Sequence, residues 1–352
     1  MRNIIVAALI LAQVALLLVM AIGRETIVRH GERVWLRTSP VDPRDIFRGD
    51  YVRLNYDISR LPRALWGDAV ATSVQDKANR TRYLREKTLY VSLERGPKDV
   101  ATAIKADLTP PVRGLFIRGA FQPGRGWRLG DKVPTFLNDL RYGIESYFVE
   151  QGSGLELERG RPEGINGTLR VPLDIEVAIS KRGEAVILRH RWAEALVIGH
   201  EMSTVKAAGE NSEYRLLSLQ VYRSPAADET ALLLPDDLRT LSLACGQQRI
   251  AICPDAGKDA AERPFTQDDV CVIPPLQEYK DIVKIPVARY HSGQWLSADG
   301  SRVLGHSEHE WQIAIVYDPP AVPLGLPAEL LPGLYRRRLL SDNAWWIDLD
   351  AN

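Results

Sequence analysis

Hydrophobic and polar positions change rhythm several times along this chain, and each change predicts an element. Ile4 to Ile22 read IIVAALILAQVALLLVMAI, nineteen positions broken only by Gln13. At 1.5 Å rise per residue, such a run builds a helix of about 28 Å, close to the hydrocarbon thickness of a bilayer. Its length and lack of polar punctuation set it apart from a buried core helix. Charge begins abruptly at Arg24 and Glu25. From residue 51 the rhythm shortens to two. Val52, Leu54, Tyr56 and Ile58 share one face, while Tyr51, Arg53, Asn55 and Asp57 share the other. Strict alternation of this kind predicts a half-buried strand. Just before it, Asp42-Pro43 reads as an N-cap followed by a first-turn proline, with Asp45 favouring the exposed amides. One helical turn then runs through Ile46 and Phe47, and Gly49-Asp50 forms a turn into the strand.

Further strands are predicted at Thr88–Glu94, Val100–Ile104 and Gly114–Phe121, with a turn at Gly96-Pro97-Lys98-Asp99. Val171–Ser180 and Ala185–Trp192 flank Lys181-Arg182-Gly183-Glu184 as a hairpin. The basic stretch Lys77–Lys87 reads as helix or solvated loop, and Gly152–Glu158 as a short helix. Beyond Ala193 come strands at Tyr214–Tyr222, Arg239–Cys245, Arg249–Cys253, Ile282–Tyr290 and Gln312–Tyr317. Asn343–Leu349 forms a strand or edge, and Ala328–Leu340 holds at most a helical turn or two. The expected fold is mainly β: an N-terminal transmembrane helix followed by two β-rich, barrel- or sandwich-like domains.

Charge narrows the function classes. Lys+Arg and Asp+Glu both total 45, for a net charge of zero, so the basic excess of a nucleic-acid binder is missing. Arg2 before the apolar run favours a cytoplasmic N-terminus, although Arg24, Arg29 and Arg33 follow on the other side. A retained signal-anchor (residues 1–23) is favoured over a cleaved signal peptide because the run exceeds the usual cleavable length, though small residues suited to cleavage occur at Val19-Met20-Ala21 and Ala21-Ile22-Gly23. Either way the expectation is a single pass of the inner (cytoplasmic) membrane, with the bulk of the chain periplasmic.

Gly49, Asp50, Tyr51, Leu54 and Tyr56 fill every defined position of the signature Gly-Asp-Tyr-x-x-Leu-x-Tyr. On these residues the chain resembles the bacterial family named after its GDYXXLXY motif. RYGIESYFVEQGSGLELE (Arg141–Glu158) is similar to that family's Tyr-Gly…Tyr-Phe-Val-x-Glu-Gly block, with its second glycine displaced by one, and DIEVAISKRGEAVILR (Asp174–Arg189) to its closing hairpin. The likeness covers about residues 1–192, which sets expected domains at 24–192 and 193–352. It implies a membrane-anchored protein, often encoded beside multi-spanning membrane proteins, with no established activity. The same segment faintly resembles the membrane-anchored signal peptidases. Aligning Pro43 with their Ser-Met-x-Pro element puts Val41 at the methionine and Pro40, which has no hydroxyl, at the nucleophile. Ser39 lies one residue away, and Lys87 and Lys105, the candidate lysines for a dyad by their distance downstream, lie in no hydrophobic run.

Other chemistry is sparse. His306 and His309, beside Glu308 and Glu310, form a His-x-x-His pair that could hold a divalent metal, with His291 as an extra ligand; a polar hairpin loop is the favoured reading. Cys245 and Cys253, on neighbouring predicted strands, are a candidate disulfide, and packing as reduced apolar residues is the alternative; Cys271 is the odd third. His190 and His200 stand isolated. No phosphate loop, serine elbow or HExxH motif occurs, and no cofactor is expected. Arg48-Gly49-Asp50 is explained by the turn and needs no adhesive role. The sequence therefore points to a non-catalytic envelope protein that binds a membrane partner or envelope ligand, anchored in the membrane by its helix, with a multi-spanning protein as the candidate partner. A degenerate signal-peptidase-like hydrolase and a metal-binding module are the alternatives. Asp50 and Tyr51, on the face away from the inferred core, are the motif residues expected to touch a ligand.

Overall fold

The computed structural model describes residues 2–39, 51–75, 87–122, 136–137, 140–149, 157, 169, 171–206, 213–245, 248–251, 263–275, 284–291, 294–297, 303–304, 313–320 and 322–341. The chain divides into two compact units: residues 1–154 with 173–191, and residues 155–172 with 192–352. Both are built mainly from strands.

The first unit opens with helix α1 (Arg2–His30). Its apolar side chains lie open, as at Leu11 and Val19, and residues 9–30 are long and apolar enough to cross a membrane. The helix outlasts the apolar run by eight residues, Gly23 to His30. A Glu25–Arg29 ion pair one turn apart supports this extension, and Arg29 and His30 suit the negative end of the helix dipole. Strand β1 (Glu32–Ser39) begins one residue later. Gly31 makes that joint: its N–H donates to Ile27 O at 2.7 Å, and a Cβ there would lie 2.5 Å from the same oxygen.

The remaining strands of this unit are β2 (Tyr51–Arg53), β3 (Asn55–Tyr56), β4 (Leu61–Pro62), β5 (Thr88–Arg95), β6 (Val100–Asp107), β7 (Leu115–Phe121), β8 (Phe136–Leu137), β9 (Leu140–Arg141), β10 (Ser146–Phe148), β11 (Leu173–Ile179) and β12 (Ala185–Trp192), with a short helix α2 (Asp68–Gln75). The main sheet runs β12-β11-β1-β6-β5-β7-β9, with β3 also paired to β1. The β1–β6 contact is parallel, while β1–β11, β5–β6, β5–β7 and β7–β9 are antiparallel. Gly183 takes a positive φ of 80° in the turn between β11 and β12. Its own O accepts from Arg118 N, and a Cβ there would lie 2.7 Å from the Phe116 ring.

Strand β11 is buried on both faces. Leu173, Ile175, Val177 and Ile179 are the core side of its alternation. Asp174 and Glu176, on the other side, are matched by arginines on the flanking strands. Arg37 grips Asp174 through Nε (2.8 Å) and Nη2 (3.2 Å), Arg191 reaches it at 3.6 Å, and Arg189 holds Glu176 at 2.6 Å. The Arg191 and Arg189 guanidinium groups lie 4.1 and 5.4 Å from the Trp35 ring centre. A carboxylate with no exposure, like that of Asp174, is tolerable only with such partners.

The second unit contains β13 (Leu196–Lys206), β14 (Glu213–Arg223), β15 (Ala231–Leu233), β16 (Leu241–Cys245), β17 (Gln248–Ala251), β18 (Val270–Val272), β19 (Lys284–His291), β20 (Gln294–Ser297), β21 (Val303–Leu304), β22 (Ile313–Tyr317) and β23 (Leu339–Leu340). They form sheets of order β13-β14-β19-β20-β21 and β17-β16-β22-β23, plus a β15–β18 pair. The core includes Leu196, Ile198, Leu217, Leu219, Leu243 and Ile315. Tyr317 is buried among them, accepting from Leu233 N at 2.9 Å and donating to Tyr335 O at 3.0 Å.

Several expectations change in detail. The long strand β13 has no counterpart among the predicted strands, and the segment after Ser59 contains α2. Ala328–Leu330 is a single 3-10 turn, and of Gly152–Glu158 only Leu157 is described, as helical. The Asp42–Gly49 turn and Asn343–Leu349 lie outside the described residues, as does Lys77–Lys87 apart from Lys87.

Candidate functional site

The period-two face of the signature is buried as its pattern requires. Val52, Leu54, Tyr56 and Ile58 are all 7% exposed or less, whereas Arg53 and Asp57 are exposed. Burying four such side chains contributes roughly 1.5–3 kcal/mol each. The segment is not one continuous strand. Residues 51–53 pair with β10, with Arg53 opposite Ser146 and Tyr51 opposite Phe148, while Tyr56 and Asn55 pair with Thr38 and Ser39 of β1. Leu54 sits at the changeover, its N–H donating to Glu145 O at 2.8 Å. Asp57–Ser59 then forms a 3-10 turn that still buries Ile58. The alternation survives because the chain stays extended through Tyr56 while its hydrogen-bonding partner changes.

Two tyrosines fasten this segment to Tyr142–Ile144. Tyr56 Oη donates to Ile144 O at 2.7 Å, and Tyr142 Oη donates to Ile58 O. Each phenol thus satisfies the carbonyl two residues beyond the other. Burial first, and the charge of Glu145 second, push both phenols well above the usual tyrosine range, so both remain donors. The Glu145 carboxylate in turn accepts from Tyr142 N and from Gly143 N, the latter at 3.0 Å. Gly143 takes φ of 80°, a conformation that favours glycine. Gly119 supplies the close approach, since a Cβ there would lie 2.9 Å from the Tyr142 ring.

Beside this lock lies an open cleft of about 670 Å³, lined by Arg53, Arg118, Arg141, Glu145, Thr88 and Ser146 among others. On the neighbouring position of β10, the Tyr147 hydroxyl lies 2.8 Å from His190 Nδ1, with the rings edge to face at 5.4 Å. Phe148 is 77% exposed.

A family model described as GDYXXLXY protein matches residues 13–189, just over half of the chain. The chain belongs to that family. No curated protein matches it, and neither does any solved structure. In this GDYXXLXY protein, Leu54 is a core residue and Tyr56 is half of the lock, while Gly49 and Asp50 lie outside the described residues and Tyr51 is placed only by its register. The N-terminal apolar helix fits a membrane-anchored protein.

The other predicted residues are dispersed. His306, His309 and Cys253 lie outside the described residues, and Cys245 is placed only by its pairing with Gln248 and Ile313. Among the described residues, no group of three or more His, Cys, Asp or Glu is arranged to hold a metal. Cys271 is a free, half-buried thiol whose pKa burial raises. Lys105 is exposed and paired with Asp107 at 3.2 Å, so it lacks the burial a serine–lysine dyad needs. His200 Nδ1 lies 2.7 Å from Ser341 Oγ, which also accepts from Ile315 N at 2.8 Å. That resembles a serine–histidine dyad, but Ser341 has no exposure through which a substrate could reach it. The pair is structural.

Sequence reasoning noted Tyr142 and Glu145 only as part of a similar block, and it did not single out Arg118 or Arg141. The available signal was Arg-Tyr-Gly at 141–143: a glycine suited to positive φ beside an aromatic ring.

Proposed function

We propose that this protein is a single-pass component of the inner (cytoplasmic) membrane that acts by binding a multi-spanning membrane partner, not by catalysis. A retained signal-anchor spans residues 1–23. Domains 24–192 and 193–352 lie on the periplasmic side.

The observation that carries the reading is the fate of the signature. Its described core residues are committed to packing and to the Tyr56–Tyr142 lock, whose buried phenols hold their protons and donate to backbone carbonyls. A reactive site needs groups poised to change protonation or attack. A lock that stiffens an exposed ribbon instead suits a recognition surface.

Two experiments test this. Alkaline phosphatase fused after Asn352 is expected to be active in intact cells, and a silent fusion with a folded reporter would put the bulk of the chain on the other side. Mild-detergent capture of the full chain from membranes is expected to recover one multi-spanning protein reproducibly. Failure to recover any, or hydrolase activity abolished by Ser39→Ala, would refute the proposal.

A further inference from the structure

The cleft beside the tyrosine lock has a charge pattern of its own. Arg53, Arg118 and Arg141 line it, and the single acid among its described lining residues is Glu145. That carboxylate is already engaged by the N–H groups of Tyr142 and Gly143. Arg118 is shared with Glu184 at 2.8 Å. Arg53 and Arg141 have no ion-pair partner among the described residues. Several other arginines are matched to carboxylates, as in Arg37–Asp174, Arg189–Glu176, Arg263–Asp269 and Arg337–Glu229, so the cleft is set apart by bringing three arginines into one lining. Among the described lining residues, three arginines against one glutamate leave a formal surplus of two positive charges, or one if Glu184 is counted against Arg118.

The walls suit a compact anion. Thr88, Ser146 and Gln122 add neutral polar groups, and Gly119 and Gly143 leave backbone without side chains in the lining. The volume falls within the usual range for small-ligand sites, roughly 300–1,000 Å³. Guanidinium forks match the paired oxygens of phosphate, and a phosphomonoester carries about −1.5 to −2 at neutral pH. Positions 53, 141 and 146 are fixed by β2, β9 and β10, and the tyrosine lock ties the β2 segment to the turn between β9 and β10. The floor is thus held by the same bonds that make the signature structural.

We infer that this cleft binds a phosphomonoester group through Arg53 and Arg141, with Arg118 as a third, shared donor. The inference rests on the binding reading above and assigns it a site and a ligand chemistry. The phosphate could belong to a soluble molecule or to a lipid headgroup, and the experiment separates the two.

The full chain in neutral detergent micelles is titrated calorimetrically with inorganic phosphate. In parallel, mixed micelles containing phosphatidate or phosphatidylcholine are assayed for retained lipid. Wild type is expected to bind inorganic phosphate if the ligand is soluble, or phosphatidate over phosphatidylcholine if it is a headgroup. The double variant Arg53→Gln/Arg141→Gln is expected to lose about tenfold or more in affinity, with its melting midpoint unchanged. Arg182→Gln, on the exposed hairpin turn, is expected to behave as wild type. If the glutamine variant fails to fold, Arg53→Lys/Arg141→Lys keeps the charge, loses the fork, and is expected to bind more weakly than wild type. Binding of neither probe by wild type overturns the inference, as does binding that the folded variants leave unchanged. Capture of the membrane partner by the same variants distinguishes the two readings. Partner retained without phosphate binding sinks the cleft alone, and phosphate bound without any partner sinks the partner reading alone.

Discussion

Removing one hydroxyl from the tyrosine lock isolates its contribution from packing. Tyr56→Phe keeps the ring in its fully enclosed site but deprives Ile144 O of its donor, and Tyr142→Phe does the same to Ile58 O. Both carbonyls lie in buried segments, so each variant loses a hydrogen bond and leaves an acceptor short of a partner. Such a loss costs about 1–3 kcal/mol. For a unit of this size that lowers the melting midpoint by roughly 2–4 °C per kcal/mol. The two bonds share no atom but join the same two segments, so the double variant is expected to fall short of additivity by about 0.5–1 kcal/mol. Urea unfolding of the full chain in micelles gives the stabilities, and hydrogen exchange at β2 and β10 shows where the loss occurs. Single variants within about 0.3 kcal/mol of wild type, or a loss spread evenly over both units, would refute the lock. Alkaline pH offers an independent check. Below about pH 10 both folded and unfolded tyrosines hold their protons. Above it the unfolded state releases them while buried Tyr56 and Tyr142 do not, so stability falls as pH rises toward their raised folded pKa values. The double phenylalanine variant should flatten that fall.

Other perturbations probe separate features. Asp174→Ala leaves Arg37 and Arg191 without their shared, fully buried carboxylate and is expected to cost about 3–5 kcal/mol in urea unfolding; a loss under about 1 kcal/mol would mean the network is dispensable. Gly119→Ala places a methyl 2.9 Å from the Tyr142 ring and 3.0 Å from Arg141 O, an overpacking cost of about 1–3 kcal/mol that Tyr142→Leu should partly relieve. His200 is buried and its pKa is lowered, so it folds neutral. As pH falls below about 6.5 the unfolded state takes up a proton first, and stability of the second unit declines until the folded pKa is reached. His200→Gln should remove that slope, as followed by thermal melts between pH 7.5 and 5.

The parts of the fold legible in sequence were those in which one strand keeps one face buried. Strand β5 and the signature segment alternate in burial, β11 alternates in sequence although its acids are also buried, and the turns of the β5–β6 and β11–β12 hairpins carry Gly96-Pro97 and Gly183. Strand β13 escaped because its apolar start at Leu196–Ile198 runs into Gly199-His200-Glu201, polar residues in the chain that nevertheless pair along β14. His200 is satisfied there by Ser341, a contact 141 residues away. The Tyr56–Tyr142 lock was hidden for the same reason, since its two bonds span 88 and 84 residues. Local pattern specifies which face a residue occupies, but not which distant carbonyl its hydroxyl meets. The cleft arginines were obscured further, because an exposed arginine on a strand has the same sequence signal whether or not it has a partner.

Placing the signature between two partners gives it a mechanical meaning that a single strand would not have. Helix α1 passes into β1 through Gly31 alone, β1 ends by pairing with Tyr56 and Asn55, and the chain two residues earlier pairs with β10, whose Ser146 lines the cleft. A continuous hydrogen-bonded path therefore runs from the apolar helix to the ribbon beside Arg53. Leu54 and Tyr56 occupy the changeover: one buried among core residues, the other bonded across to Ile144. Loosening that changeover should release the ribbon without unfolding the main sheet, because β11, β6, β5 and β7 are paired independently of it. The consequence is measurable. Tyr56→Phe should raise exchange in β2 and β10 while β5 and β11 stay protected, and equal exchange in all four would mean the signature is simply one more part of the core.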